Sequence, residues 1–274
     1  MIKSLFDKYH YTSRVILTLM LVVLTFVMTG IVEGFVAKKV FPFSGMLLII
    51  LMTWFLCRLD GKGLGYLGFV FTRKHVTLLF VGVLFGALLF LLSRLVRCFY
   101  ANETVGFNEV VDYQALLLGA YYLLPMVVVE EFLYRGYLFK KTIEKSSFLV
   151  ANIVVATLFM LTHVLDSQVM ESVGKVIFFV VAIPVGHLLF AVAFHKSKTI
   201  LFPIGLHLGN NWATRHLITS GESDTAFLYI SNPGQFESWA VFIPFLLLWN
   251  GVTLLGIFII WKWRFAAQAN RNEG

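Results

Sequence analysis

The stretch from Tyr113 to Phe139, YQALLLGAYYLLPMVVVEEFLYRGYLF, decides the fold of this chain. It is long enough to cross a bilayer as a helix, since a span needs about 20 mostly apolar residues. The stretch nevertheless contains Glu130, Glu131 and Arg135. A charge at the centre of a bilayer costs at least about 2–3 kcal/mol, so ionisable residues there indicate function. We therefore predict a membrane helix that carries a polar centre.

The composition of the whole chain agrees with a membrane protein. Of its 274 residues, 59% are hydrophobic and 14% are charged, and the mean hydropathy is +0.83. Soluble domains are about a quarter charged, so a soluble enzyme is excluded. The net charge of +7 does not indicate nucleic-acid binding, because the Lys and Arg residues lie in short clusters between apolar runs. The predicted partner is the lipid bilayer, with no nucleic acid.

Hydropathy predicts an all-α fold, a polytopic membrane helical bundle with about eight transmembrane helices. It forms a single integral membrane domain over residues 1–274, with a motif-bearing catalytic core at about 113–213. The polar residues of the seventh segment predict that it is buried among its neighbours. The predicted segments are Val15–Val36, Ser44–Cys57, Val76–Val96, Tyr113–Phe139, Phe148–Leu165, Val176–Phe194, Thr199–Ala213 and Trp239–Trp261.

The Lys and Arg residues of the loops predict the orientation. With eight spans and the N-terminus inside, 15 of them fall on the inner side and 6 on the outer side. Cytoplasmic loops carry such an excess, so we expect both termini in the cytoplasm and a multi-pass protein of the cell membrane. The first apolar run has no obvious cleavage site and is interpreted as a retained anchor. The short loops are typical of a bacterial protein.

Helix geometry separates the two adjacent glutamates. Glu131 and Arg135 are four residues apart with the acid first, the favourable order for an ion pair on one helix face. Glu130 lies about 100° away around the helix and has no such partner in this segment. We therefore expect Glu131 and Arg135 to support the structure, and Glu130 to be the candidate general base.

Two other segments contribute polar side chains. His163 ends the sequence Phe159-Met160-Leu161-Thr162-His163, and His207 and Asn211 are four residues apart. The latter pair projects from one helix face, as two donors to a developing oxyanion would. Taken alone, His163 fits a hydrogen-bonded core histidine as well as a catalytic one. His187, His195 and Asn250 are interpreted as local hydrogen-bonding or interface residues.

These three motifs, in this order and each on its own helix, resemble those of the CAAX-protease and bacteriocin-processing family. They are Glu130-Glu131-x-x-x-Arg135, Phe159-x-x-x-His163 and His207-x-x-x-Asn211. The resemblance covers about Leu116 to Asn211. It implies that Glu130 and His163 activate a water molecule and that His207 and Asn211 stabilise the oxyanion. It also implies supporting roles for Glu131 and Arg135.

A metal cofactor is an open alternative. Glu, two His and Asn also resemble a zinc set with one open position, so zinc is possible. No HExxH pair places two histidines on one helix turn, and the resemblance implies a metal-free glutamate site. We therefore predict no cofactor.

The predicted function is an intramembrane endopeptidase that cleaves a membrane-associated peptide or protein. Bacteriocin processing, pheromone maturation and cleavage of a membrane protein all fit the substrate class. The alternatives are a proton-coupled transporter and a non-catalytic immunity or scaffolding protein. The stretch Gly63-Leu64-Gly65-Tyr66-Leu67-Gly68 matches GxGxxG, but no βαβ unit surrounds it, so a flexible loop is predicted.

The depth of the site sets one condition on the fold. Glu130 lies about 14 Å from the predicted inner end of its helix at Phe139, whereas His163 lies near the outer end of the next helix. The two side chains can meet only if the fourth helix, which carries Glu130, continues beyond Phe139 or if the helices tilt strongly.

Overall fold

The computed structural model describes residues 10–35, 41–234, 236 and 238–265. Most of the polypeptide in these ranges is helical, and it also contains a 3₁₀ turn at Leu64–Leu67, a π-helical turn at Ala213–Leu217, three short strands and irregular connections. Its helices are α1 (His10–Phe35), α2 (Ser44–Leu59), α3 (Arg73–Ala101), α4 (Tyr113–Arg135), α5 (Tyr137–Lys145), α6 (Phe148–Val164), α7 (Ser167–Met170), α8 (Val173–Ser197), α9 (Leu201–Trp212) and α10 (Trp239–Lys262).

The helical membrane bundle is confirmed. Five helical stretches of the described chain are long and apolar enough to cross a membrane: α1, α3, α4 together with α5, α8 and α10. Helices α2 and α6 are apolar but shorter. Helix α9 has only 12 residues, and its first seven, Leu201 to His207, are buried as its polar content predicts. The count of eight spans stays a prediction, and the predicted end of the first span at Val36 lies outside the described residues.

The helix that carries the two glutamates ends earlier than predicted, at Arg135. Gly136 separates it from α5, and a Cβ atom at Gly136 would collide with the carbonyl of Phe132. The helical path nevertheless continues through α5 to Lys145, beyond the predicted end at Phe139. Glu130 therefore lies further from the end of the helical path than predicted. This meets the condition under which Glu130 and His163 can share one cavity.

Helices α3 and α9 make backbone contact through four glycines. A Cβ atom on Gly82 or Gly86 of α3 would collide with the backbone of α9, and one on Gly205 or Gly209 would collide with the backbone of α3. Glycines spaced four residues apart let two membrane helices approach this closely. His207 lies between the two glycines of α9, so this contact sets its position.

A three-stranded sheet closes one end of the bundle. Strands β1 (Val105–Phe107), β2 (Ile218–Ser220) and β3 (Leu228–Ile230) are ordered β1-β3-β2. β1 pairs antiparallel with β3, and β2 pairs parallel with β3. The strands come from the loops before α4 and after α9, so the sheet joins the ends of these two helices.

A buried carboxylate holds the other end of the bundle together. Asp60 follows α2 and accepts hydrogen bonds from Arg14 Nε of α1 and from the Tyr137 hydroxyl of α5, each at 2.9 Å. Lys141 of α5 also pairs with it. Burial alone would raise the pKa of Asp60, but the hydrogen bonds from Lys141, Tyr137 and Arg14 lower it below its usual value. This cluster fastens α1 to the bundle at its first turns.

The GxGxxG stretch lies in the connection between α2 and α3, as predicted, and its flexibility stays a prediction. Residues Leu64–Leu67 form the 3₁₀ turn, and Gly68 follows it with a φ of +64°. The Thr199 hydroxyl donates to the Gly68 carbonyl at 2.7 Å, and the Ile200 amide donates to the Leu67 carbonyl at 3.0 Å. The turn therefore supports the segment that leads into α9.

Candidate active site

A buried ion pair lies at the end of α4. Arg135 Nη1 lies 3.0 Å from Glu131 Oε1, and both side chains have 0% exposure. Their spacing of four residues puts them on one face of the helix, as the sequence predicts. A buried charge without a partner is strongly unfavourable, so each of these groups requires the other.

Helix α9 brings His207 to the same carboxylate. His207 Nδ1 lies 2.8 Å from Glu131 Oε1. Since a carboxylate only accepts hydrogen bonds, the proton of this contact belongs to Nδ1. His207 Nε2 lies on the opposite side of the ring, 3.8 Å from Glu130 Oε2. The imidazole of His207 therefore stands between the two adjacent glutamates of α4.

Glu130 faces a cavity that also receives His163. The cavity has a volume of about 1080 Å³ and is lined by α1, α2, α4 and α6. The side chain of Glu130 is 24% exposed, in contrast to the fully buried Glu131. His163 Nδ1 hydrogen-bonds to the carbonyl of Phe159 at 2.8 Å, so Nε2 is the ring nitrogen that remains available to water or substrate. Glu130 and His163 thus share one space large enough for a peptide segment.

The other predicted oxyanion donor lies further along α9. Asn211 is partly buried one helical turn after His207. Among the described residues that line the cavity, neither His207 nor Asn211 is present. The structure therefore joins His207 to Glu130 and Glu131, and Glu130 to His163, while the role of Asn211 stays a prediction.

Residues 112–213 match the family model described as type II CAAX prenyl endopeptidase Rce1-like. This segment is Rce1-like. The match confirms the family that the three motifs indicate. It also supports intramembrane protease activity in general. No curated protein and no solved structure matches the chain.

The Rce1-like segment contains every residue predicted for the site. It begins just before α4 and ends at Ala213, directly after α9. Helices α1 and α2, which form the opposite wall of the cavity, lie outside it. The matched segment thus supplies the predicted catalytic groups, and the preceding helices complete the cavity around them, including the charged Glu33.

The choice between a metal-free site and a zinc site stays a prediction. A catalytic zinc site uses three protein ligands close to one point. In the described part of the chain, no group of three or more His, Cys, Asp or Glu side chains is arranged to hold a metal. His207 and His163 each use Nδ1 for a hydrogen bond within the protein, which leaves Nε2 of each ring as the nitrogen open to water, substrate or a metal ion. The mechanism proposed below uses no metal.

Several residues around the Rce1-like site were not predicted from the sequence. The hydroxyls of Tyr134 and Thr162 are 3.1 Å apart and join α4 to α6. Phe190 of α8 stacks on the imidazole of His207 with ring centroids 4.8 Å apart. Nothing in the apolar pattern of α8 distinguishes Phe190, although it follows the polar His187 by one helical turn. His187 itself bonds Asn152 at 3.1 Å, the local hydrogen bond expected for it.

Proposed function

We propose that this protein is an intramembrane endopeptidase that hydrolyses a peptide bond of a membrane-associated peptide or protein. One observation carries the proposal. The Glu130 carboxylate lines the same cavity as His163 and lies 3.8 Å from Nε2 of His207. A carboxylate that lies near one imidazole and shares a cavity with another is suited to activating water.

In the proposed mechanism, a water molecule bound between Glu130 and His163 attacks the scissile carbonyl. Glu130 takes the proton of this water as the new C–O bond forms. The carbonyl π electrons move onto oxygen, and Asn211 and His207 stabilise the resulting oxyanion, a role in which His207 needs a proton on Nε2 in addition to the one on Nδ1. When the oxyanion collapses, the C–N bond breaks and Glu130 passes its proton to the leaving amine. The products are a carboxylic acid and an amine.

The buried ion pair prepares His207 for this role. Glu131 accepts a hydrogen bond from Nδ1–H, so only Nε2 can face the substrate or Glu130. Arg135 balances the charge of Glu131. Because both partners have 0% exposure, water does not weaken these contacts. His207 therefore enters the reaction with its ring already oriented, which lowers the reorganisation needed in the transition state.

The substrate class follows from the surroundings of the cavity. Helix α1 is long and apolar enough to cross a membrane, and so is the stretch formed by α4 and α5. Helices α1 and α4 both line the cavity. We propose a location in the cell membrane with both termini in the cytoplasm. The substrate is a peptide precursor or membrane protein whose cleavage site enters the bilayer. Because the matching family is described as prenyl endopeptidases, a prenylated CAAX peptide is the first probe.

The test uses the full chain reconstituted in liposomes with an internally quenched farnesylated CAAX peptide and the same peptide without the farnesyl group. Removal of a general acid–base group costs roughly 10²–10⁴-fold in rate, so Glu130→Gln should lose cleavage by that factor. Glu171→Gln makes the same chemical change at an exposed residue outside the site and should retain the wild-type rate.

The result also separates the alternatives. Lost cleavage in Glu130→Gln with normal folded yield supports the peptidase. Lost folded yield supports a scaffolding role for Glu130. Cleavage by Glu130→Gln at the wild-type rate overturns the assignment, and proton uptake into liposomes that requires Glu130 without any cleavage identifies a transporter.

A further inference from the structure

Arg135 lies between two aromatic rings that come from two other helices. Its guanidinium carbon is 4.8 Å from the centroid of the Phe159 ring of α6 and 5.0 Å from that of the Phe190 ring of α8. A guanidinium is planar and stacks favourably on aromatic faces, most strongly where water is excluded. Arg135 thus connects α4 to both helices.

Hydrogen bonds hold only one of the three guanidinium nitrogens. Nη1 pairs with Glu131, whereas Nε and Nη2 have no hydrogen-bond partner among the described residues. The side chain is nevertheless 0% exposed. The orientation of the guanidinium plane therefore depends mainly on the two rings. Replacing either ring would let the guanidinium rotate about its contact with Glu131.

Each of the two rings also contacts one histidine of the site. Phe190 stacks on His207 with centroids 4.8 Å apart and an interplanar angle of 19°. Phe159 meets His163 edge to face, with centroids 4.5 Å apart and an angle of 75°. The order of contacts is His163, Phe159, Arg135, Phe190, His207, and we call these five residues the aromatic column.

We propose that Phe190, which lies outside the three sequence motifs, is a positioning residue that sets the ring plane of His207 through the aromatic column. The Glu131 hydrogen bond fixes one point of the imidazole, its Nδ1, but leaves rotation about that contact. The parallel ring of Phe190 blocks this rotation. Together the two contacts direct Nε2 to the side on which Glu130 lies.

The aromatic column also gives α8 a function. Helix α8 contributes none of the predicted catalytic groups, yet it packs between α6 and α10 and supplies Phe190. Its effect on the reaction rests on the proposed function, whereas its effect on the His207 ring does not. The two effects are therefore measured separately.

The variant Phe190→Leu preserves an apolar side chain but removes the flat ring. Its matched control is Phe194→Leu, one turn further along α8, where a buried phenylalanine packs against Phe139 at 6.3 Å instead of against the site. In liposomes, Phe190→Leu should lower kcat on the farnesylated peptide by about 10–100-fold, the cost of slightly misplaced reacting groups. Its KM should stay within about twofold, and Phe194→Leu should keep the wild-type kcat.

The second measurement needs no substrate. Histidine-selective ¹⁵N NMR of the full chain in detergent should show a slowly exchanging Nδ1–H proton of His207, identified by its loss in His207→Gln. This proton should exchange about tenfold faster in Phe190→Leu and unchanged in Phe194→Leu, because a carboxylate-bound N–H is protected only while the ring keeps its plane. Phe190→Met replaces Phe190→Leu in both assays if the latter does not give monodisperse protein.

Equal exchange rates of the His207 proton in Phe190→Leu and wild type overturn the positioning role of Phe190, whatever the activity. Equal kcat in Phe190→Leu and Phe194→Leu overturns its effect on catalysis. A wild-type protein that cleaves neither peptide counts against the proposed function alone, since the exchange measurement still decides the role of Phe190.

Discussion

Glu131 Oε1 lies 2.8 Å from His207 Nδ1, so the residue predicted only to neutralise Arg135 also orients a histidine of the site. Glu130 approaches the opposite nitrogen of the same ring at 3.8 Å. Adjacent residues of one helix thus act on the two sides of one imidazole. Glu131 is fully buried, whereas Glu130 faces the cavity, so the two carboxylates have different roles.

Replacing Glu131 with Gln should unfold the protein more readily than replacing Glu130 with Gln. The change leaves the buried Arg135 without a counter-charge, which costs about 3–5 kcal/mol. Thermal unfolding in detergent and the yield of monodisperse protein measure the effect. The double variant Glu131→Leu/Arg135→Met should recover stability but not activity. If Glu131→Gln is as stable as Glu130→Gln, the buried pair does not have this role.

Gly209→Ala should separate α9 from α3. The added Cβ would overlap the carbonyl of Val83, so the helices must move apart, at a cost of about 1–3 kcal/mol. Peptidase activity should fall with stability, because His207 lies on the displaced helix. Gly251→Ala in α10 is the control, since nothing lies within 4 Å of its Cβ position. An equal melting temperature and activity in the two variants would contradict the close contact.

Asp60 should make the stability of the protein depend on acid pH. Its folded-state pKa lies below the unfolded value of about 3.9, so its stabilising effect is complete above pH of about 4 and is lost as pH falls through the folded pKa. Asp60→Asn should lower the melting temperature at pH 7, and the difference from wild type should shrink as the pH is lowered. A difference that stays constant down to pH 3 would show that the Asp60 charge contributes nothing.

Chelation should leave peptidase activity unchanged. In the proposed mechanism Glu130 activates water directly, so incubation with 1,10-phenanthroline and removal of zinc by dialysis should not alter the initial rate. Elemental analysis of the purified protein supplies the control for bound metal. A rate that falls with chelator and returns on addition of zinc would replace the metal-free mechanism with a zinc-dependent one.

Hydropathy predicted a helix at each of the eight segments because long apolar runs have few alternatives in a bilayer. It placed the end of α4 wrongly because Tyr137, Leu138 and Phe139, directly after Gly136, are apolar and resemble a continuing span. The sheet was beyond prediction, since each strand has three residues and pairing joins positions as distant as Val105 and Ile230. Such short strands have no periodicity of their own.

The candidate site was predictable one helix at a time. The spacing of Glu131 and Arg135 was sufficient for their ion pair, since both lie on one helix. The contact of His207 with Glu131 depends on how α9 is rotated against α4, which no local spacing determines. One clue was available: Gly82 and Gly86, with Gly205 and Gly209, form two pairs at the spacing of closely packed membrane helices.

The cavity is enclosed by elements that tolerate change very differently. In the described residues of α1, Thr18 and Thr25 are the only buried residues, although Thr25, Thr29 and Gly30 form part of the cavity wall. In α9, by contrast, a single added carbon at Gly205 or Gly209 has no room. Substitutions that adapt the cavity to a different substrate peptide should therefore be tolerated more easily in α1 than in α9.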